Sequence, residues 1–284
     1  MTSATIKLFL PHGDAKRLRV GEVSNWTGKA LAAPRTELDD LLAREELENA
    51  GVYFLLGVNP DTGKPQAYIG EAEVIRDRLK QHKAKALDFW TSVVVFISKD
   101  ENLTKAHIRF LENRLIQESK SAGRYELENS NGSNPKLPES DREDMEVYLS
   151  RIRQVLPVLG SDLLSPISGS IKPAKPHSAL QCKIKNALAH GKRTEAGFVV
   201  YKQSTAVLAL RPSAEAQHPF VVALRHKLLQ DGTLIEKDGL LVFTSDAEFS
   251  SPSAAAAVIH GGGANGLTAW RDANGKTLKE IEEV

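Results

Sequence analysis

Two phenols, a guanidinium, an imidazole and a carboxylate follow one another in order along this 284-residue chain. Tyr53 closes the triplet Gly51-Val52-Tyr53 and Tyr68 opens the triplet Tyr68-Ile69-Gly70, after which come Arg78, His82 and Glu112. Together these groups could cut a phosphodiester with the help of one divalent ion. A guanidinium grips phosphate oxygens bidentately. A carboxylate is a hard-oxygen ligand for Mg²⁺, and a phenol or imidazole can move the proton of an attacking water. Each residue alone has an ordinary explanation. Tyr favours strands, a single His is more often structural than catalytic, and an inward Arg or Glu is usually half of an ion pair. The ordered set is what points to chemistry.

Local pattern says how these groups are positioned. Residues 51–57 (GVYFLLG) and 66–70 (QAYIG) are rich in β-branched and aromatic side chains, and Asn59-Pro60-Asp61-Thr62-Gly63-Lys64-Pro65 between them stops any helix. A β-hairpin is expected, with Val52, Phe54, Leu56, Ala67 and Ile69 on one face and Tyr53 and Tyr68 on the other. Helical spacing over 74–83 gathers Val74, Ile75, Arg78, Leu79 and His82 on an inward arc and turns Arg76 to solvent. A strand over 92–97 precedes a helix over 103–119. The apolar arc of that helix, Ile108, Leu111, Leu115 and Ile116, contains Glu112, and a carboxylate there needs a cation or a metal.

These residues resemble the GIY-YIG nuclease superfamily. Gly51-Val52-Tyr53 is similar to the first signature, with Val in place of Ile, and Tyr68-Ile69-Gly70 matches the second. Arg78 falls at the catalytic arginine, His82 where the family has His or Tyr, and Glu112 at the metal-binding glutamate. Asn129 falls at the final asparagine, with Asn131 as the alternative. The resemblance covers about residues 50–135. It implies an α+β fold, a three-stranded antiparallel sheet with packed helices, and a metal-dependent endonuclease. Mg²⁺ (or another divalent cation such as Mn²⁺) would be held by Glu112. Tyr53 would take the proton of the attacking water, directly or through His82, although a phenol of ordinary pKa about 10 would need help to do so. Arg78 would stabilise the pentacovalent phosphate, Tyr68 would position the phosphate or Tyr53, and Asn129 would hold the Glu112 region. The expected partner is nucleic acid, with DNA preferred. The alternative is a non-catalytic nucleic-acid-binding protein that retains the fold.

Composition bounds the rest. With 41% hydrophobic and 26% charged residues, the chain reads as globular and long enough for two cores. Cys182 is the only cysteine, so no intrachain disulfide can form. No apolar secretory run opens the chain and no run approaches a membrane span, so no membrane and a cytoplasmic location are expected. The net charge is only +1, yet no acid occurs between Asp162 and Glu195, where Lys172, Lys175, Lys183, Lys185, Lys192 and Arg193 lie. Lys183, Lys185, Lys192 and Arg193 are therefore candidate phosphate contacts, against the plainer reading of a solvated linker.

Four segments are expected. Residues 1–49 form a strand-strand-helix extension, its helix opened by Pro34, with Trp26 anchoring it. Residues 50–135 are the nuclease-like domain. Residues 136–181 hold a helix with a Ser140–Glu143 capping box ending before Pro157, then a Ser/Pro/Gly-rich basic linker over 160–176. Residues 182–284 form a second α+β domain. There Ser251 caps an alanine helix that begins at Pro252 and ends in three glycines. Asn265-Gly266 and Asn274-Gly275 read as turns around a strand with Trp270. This region resembles a small domain of unknown function and modules attached to restriction enzymes and adenine methylases, with Trp270 either in a core or against DNA.

Overall fold

Near-continuous apolar runs dominate the first half of the chain, as strands covered on both faces require. In the computed structural model, which describes residues 3–84, 89–129, 135–166, 179–194 and 197–283, two compact units are seen, Met1–Ser165 and Pro166–Val284. Asn131, Lys172, Lys175 and most of the expected linker lie outside the described residues.

The first unit begins with β1 (Ile6–Phe9), β2 (Arg19–Val23), β3 (Gly28–Pro34) and α1 (Leu38–Leu42). The hairpin β4 (Gly51–Val58) and β5 (Pro65–Ala72) leads into α2 (Ile75–Ala84), β6 (Trp90–Ser98), α3 (Lys105–Ala122), β7 (Glu126–Leu127) and α4 (Glu139–Val158). Its strands form one seven-stranded sheet in the order β1-β2-β3-β6-β4-β5-β7. Only the β5–β7 pairing is parallel. The antiparallel trio β6-β4-β5 is thus the middle of a larger sheet rather than a three-stranded sheet by itself. Val52, Phe54, Leu56, Ala67 and Ile69 pack under α3 and α4. Tyr53, Leu55, Val93 and Val95 pack on the other face with Leu41 of α1 and with Ile75 and Leu79 of α2.

Several local expectations change. Residues 28–34, which precede the expected helix and are not expected as a strand, form a full strand paired along its length with β6. Pro34 ends that strand and caps a short 3₁₀ turn, Arg35–Glu37. Trp26 is half-buried, its ring 4.9 Å from that of Tyr148. The Ser140–Glu143 capping box does not form, because α4 already starts at Glu139 behind Pro138. The same helix runs through Pro157 to Val158. A proline in the last turn gives up a single intrahelical bond.

The second unit contains β8 (Leu180–Ile184), β9 (Ala187–Thr194), β10 (Gly197–Val200), β11 (Thr205–Val207), α5 (Ala214–Gln217) and α6 (Pro219–Gln230). It continues with β12 (Leu234–Lys237), β13 (Leu240–Phe243), β14 (Ala247–Phe249), α7 (Pro252–His260), α8 (Gly266–Ala269), β15 (Trp270–Arg271) and α9 (Leu278–Glu282). A five-stranded sheet, β14-β10-β9-β8-β15, lies beside a three-stranded one, β11-β13-β12. Ser251 accepts the Ala254 N–H to cap α7, and Gly261 ends it with φ 66°. Asn265 does not form a hairpin turn; it caps α8 by accepting the Leu267 N–H. Trp270 is fully buried, 4.3 Å from the Phe198 ring, and donates its indole N–H to the Pro252 carbonyl at 3.0 Å. It is a core residue, out of reach of a nucleic acid.

This architecture makes residues 50–135 dependent on their flanks. A fragment of those residues lacks the β3 partner of β6 and the α4 cover of the sheet, and should be unfolded. A fragment of residues 1–165 should fold. Circular dichroism melts decide the point, and a cooperative melt of the 50–135 fragment would contradict it.

Candidate active site

Strand alternation sends Tyr53 and Tyr68 to the α2 face of the sheet, where their rings stack at 6.0 Å between centroids. From α2, Arg78 and His82 reach the same place. The Tyr53 hydroxyl lies 2.8 Å from His82 Nε2 and accepts the Arg78 Nε–H at 3.3 Å. The His82 ring also meets that of Tyr68 edge-on at 5.0 Å. Gly70 makes room for this group, since a Cβ there would stand 2.4 Å from the Tyr53 hydroxyl. The second triplet therefore has to end in glycine for the tyrosine of the first to lie where it does.

Depth separates the members. Tyr53 is 0% exposed and His82 4%, whereas Tyr68, Arg78 and Glu112 are half-buried. Burial, reinforced by neighbouring Tyr68, pushes the Tyr53 hydroxyl well above its ordinary pKa despite the opposing pull of Arg78. Its hydrogen bond to Tyr53 holds Arg78 even more firmly cationic, against some burial. Tyr53 is thus a neutral phenol anchored behind the guanidinium.

Glu112 approaches from α3. Its carboxyl is pushed up to about 7, first by burial and then by the adjacent Glu71 carboxylate; Arg78, Arg109 and a hydrogen bond from the Glu71 backbone N–H oppose this. Arg78 and Glu112, 34 positions apart in sequence, therefore lie within electrostatic reach of each other. Glu71 itself meets Arg109 Nε at 3.6 Å. Glu71 did not stand out in the sequence, because its nearness to Glu112 depends on where α3 crosses β5.

Asn129 behaves differently from its expected role. Its side-chain oxygen accepts the Ile69 N–H at 3.1 Å and its amide donates to the Ile69 carbonyl at 2.6 Å. It holds the backbone of the Tyr68-Ile69-Gly70 triplet rather than the Glu112 side chain. Arg76 does not face solvent freely. It pairs with Glu48 and donates to the Arg44 carbonyl at 2.9 Å, tying α2 to the segment before β4.

Other reactive groupings fit less well. His12, Glu37 and Asp40 cluster closely enough for a cation, but Arg17 already pairs with both carboxylates. Cys182 Sγ lies 3.3 Å from His260 Nε2, and Arg211 sits 3.2 Å from His260 Nδ1. Arg211 can only donate, so the proton of neutral His260 sits on Nε2 and points at the sulfur. That histidine cannot take the thiol proton, and burial pushes Cys182 up to about 12. Among the expected nucleic-acid contacts, Lys183 and Lys185 are exposed and Lys192 is half-buried, while Arg193 pairs with Glu282 at 2.7 Å.

The family model of a domain of unknown function, DUF4357, matches residues 180–282, in agreement with the reading of the C-terminal region. No GIY-YIG family model matches, and no curated protein or solved structure matches the chain. No helix among the described residues is long and apolar enough to cross a membrane.

The Asn129 contact makes a specific prediction. Asn129→Asp removes the donor to Ile69 and sets a carboxylate oxygen against its carbonyl, so stability should fall by about 1–3 kcal/mol. Urea unfolding measures this, and an unchanged midpoint would show that the contact is dispensable.

Proposed function

We propose that the first unit is a metal-dependent endonuclease that hydrolyses phosphodiester bonds in nucleic acid, with DNA the preferred substrate. One observation carries the reading. Tyr53, Tyr68, Arg78 and His82 form one bonded or stacked group, and the ionisation of Glu112, from a distant segment, is coupled to Arg78.

The residues fit a divalent ion such as Mg²⁺ or Mn²⁺. Glu112 is a half-buried hard-oxygen donor beside a second carboxylate, and both burial and that neighbour disfavour its charge. A bound cation would relieve this penalty. When bound, it would supply Lewis-acid stabilisation of charge on the phosphate. The chain's own residues do the rest. Arg78 binds the phosphate and stabilises its developing charge. Tyr53, hydrogen-bonded to His82 and accepting from Arg78, fixes the guanidinium; its burial and raised pKa argue against its taking a proton from water. Tyr68, the more accessible phenol, orients the phosphate.

A second reading has its own support. Asn129 satisfies both backbone groups of Ile69 on β5, a role that needs no reaction. A non-catalytic nucleic-acid-binding protein on the same fold would keep both contacts. Incubating the full chain with labelled single- and double-stranded DNA and RNA, in Mg²⁺ or in EDTA, separates the two. Cleavage in Mg²⁺ alone supports the nuclease, and binding without cleavage supports the alternative.

Two variants sharpen the test. Glu112→Ala should abolish cleavage while the protein still folds; a variant that cuts at the wild-type rate removes Glu112 from the metal site. Arg78→Ala should slow cleavage by about a hundredfold, the scale of losing a transition-state donor. Arg76→Ala should lower the melting temperature and leave the rate of the folded enzyme nearly unchanged. Equal rate losses in both arginine variants would contradict the assigned role of Arg78.

A further inference from the structure

The five-stranded sheet of the second unit has two unlike faces. On one, Leu180, Cys182, Ala189, Phe198, Val200 and Trp270 pack with Ala255, Ala256 and Ile259 of α7. Side chains alternate, so their neighbours point the other way. The register sets Arg271 opposite Gln181, Gln181 opposite His190, and Lys183 opposite Leu188. Arg271, Gln181, Lys183 and Leu188 are exposed, and His190 and Lys192 are half-buried.

Over β8 and β9 the charge on this outward face has one sign, and Glu280 borders it beside Arg271. The strands β8 (LQCKI), β9 (ALAHGKRT) and β15 (WR) contain no acidic residue. Lys185 adds a cation at the turn between β8 and β9, where its φ is 49°. Lys29, Lys83, Lys99 and Lys105 of the first unit are all held by carboxylates. Lys183, Lys185 and Lys192 make no salt bridge among the described residues. Strand parity puts Arg193 on the opposite side from Lys192, where Glu282 takes it up. The acid-free stretch therefore resolves into a patch, with Arg193 outside it and Arg271 inside it. Glu248 on β14, across Val199 from Lys192, marks its far border.

We infer that the outward face of β15, β8 and β9, with Lys183, Lys185, Lys192 and Arg271, docks the phosphate backbone of a nucleic acid. The choice of partner rests on the nuclease reading; the location of the patch does not. Strand geometry spreads Arg271, Lys183 and Lys192 over roughly 8–15 Å of an open sheet face. An extended row of point cations suits a regularly charged polymer, because each phosphate contact releases condensed counterions. Flexible lysines give affinity without reading base edges, so this contact is independent of sequence.

The test is anisotropy of the full chain with a labelled duplex and a labelled single strand at several salt concentrations, in EDTA so that no cutting occurs. The variant is Lys183→Gln/Lys185→Gln/Lys192→Gln. A control of equal charge change, Lys227→Gln/Lys237→Gln/Lys279→Gln, lies on other elements of the same unit. The face variant should bind at least tenfold more weakly, with a salt slope shallower by about 2–3, near 0.9 per lost contact. The control should bind like wild type. No change in the face variant, equal losses in both, or no binding by wild type overturns the proposal. Salt-dependent binding through this face without cleavage in Mg²⁺ leaves it standing and counts against the nuclease reading alone.

Discussion

The first unit turns on the outer edge of one strand. β5 is paired with β4 on one side, and on the other, among the described residues, it has only the two-residue β7. Backbone groups left on that edge in a part-buried setting need partners. The chain supplies them in sequence. β7 pairs with Gln66 and Ala67, and Glu128 N–H donates to the Ala67 carbonyl at 2.9 Å. Asn129 then takes both groups of Ile69, and Glu112 of α3 comes close to Glu71. A side-chain amide mimics a peptide unit, so Asn129 extends the ladder where the strand itself has stopped. Alternation makes Ile69 and Glu71 face this edge while Gly70 faces β4. Pinning the edge therefore fixes the gap at Gly70 into which Tyr53 fits.

The electrostatics of the site follow from that geometry. β5 carries Glu71 to Glu112, and α2 carries Arg78 to Tyr53. The Glu71 carboxylate opposes the ionisation of Glu112 while the Arg78 guanidinium favours it. A Glu whose charge is disfavoured, chiefly by burial, and an arginine held from behind by a buried phenol are the groups that the proposed reading needs for a cation and a phosphate. The buried Tyr53–His82 pair costs the protein exposed reactivity at both groups and in return gives Arg78 a fixed direction.

Much of this was legible in the sequence. The hairpin, the shared arc of Arg78 and His82 and the cap at Ser251 rest on strand alternation, helical period and local turn chemistry, all of which act over a few residues. The misreadings came from longer range. Residues 28–34 (GKALAAP) have little strand propensity, and they are extended because β6 pairs with them across the sheet. Ser140 failed as a cap because Pro138 began the helix earlier. Helical phase alone turns Arg76 to solvent and cannot see Glu48 arriving from another segment. The role of Asn129 was hidden for the same reason: the residue types suggested a polar contact, but only the sheet edge says with what. The basic stretch needed strand parity to divide Lys192 from Arg193.

The claim on which the account rests is that Glu112, beside Glu71, holds a divalent cation. Titration of isotopically labelled protein with trace Mn²⁺, followed by backbone amide NMR, tests it without substrate or turnover. Paramagnetic broadening should centre on Gly70, Glu71 and Glu112, recede on addition of excess Mg²⁺, and vanish in Glu112→Gln. Broadening that centres instead on His12, Glu37 and Asp40, or that is unchanged in Glu112→Gln, would contradict the account.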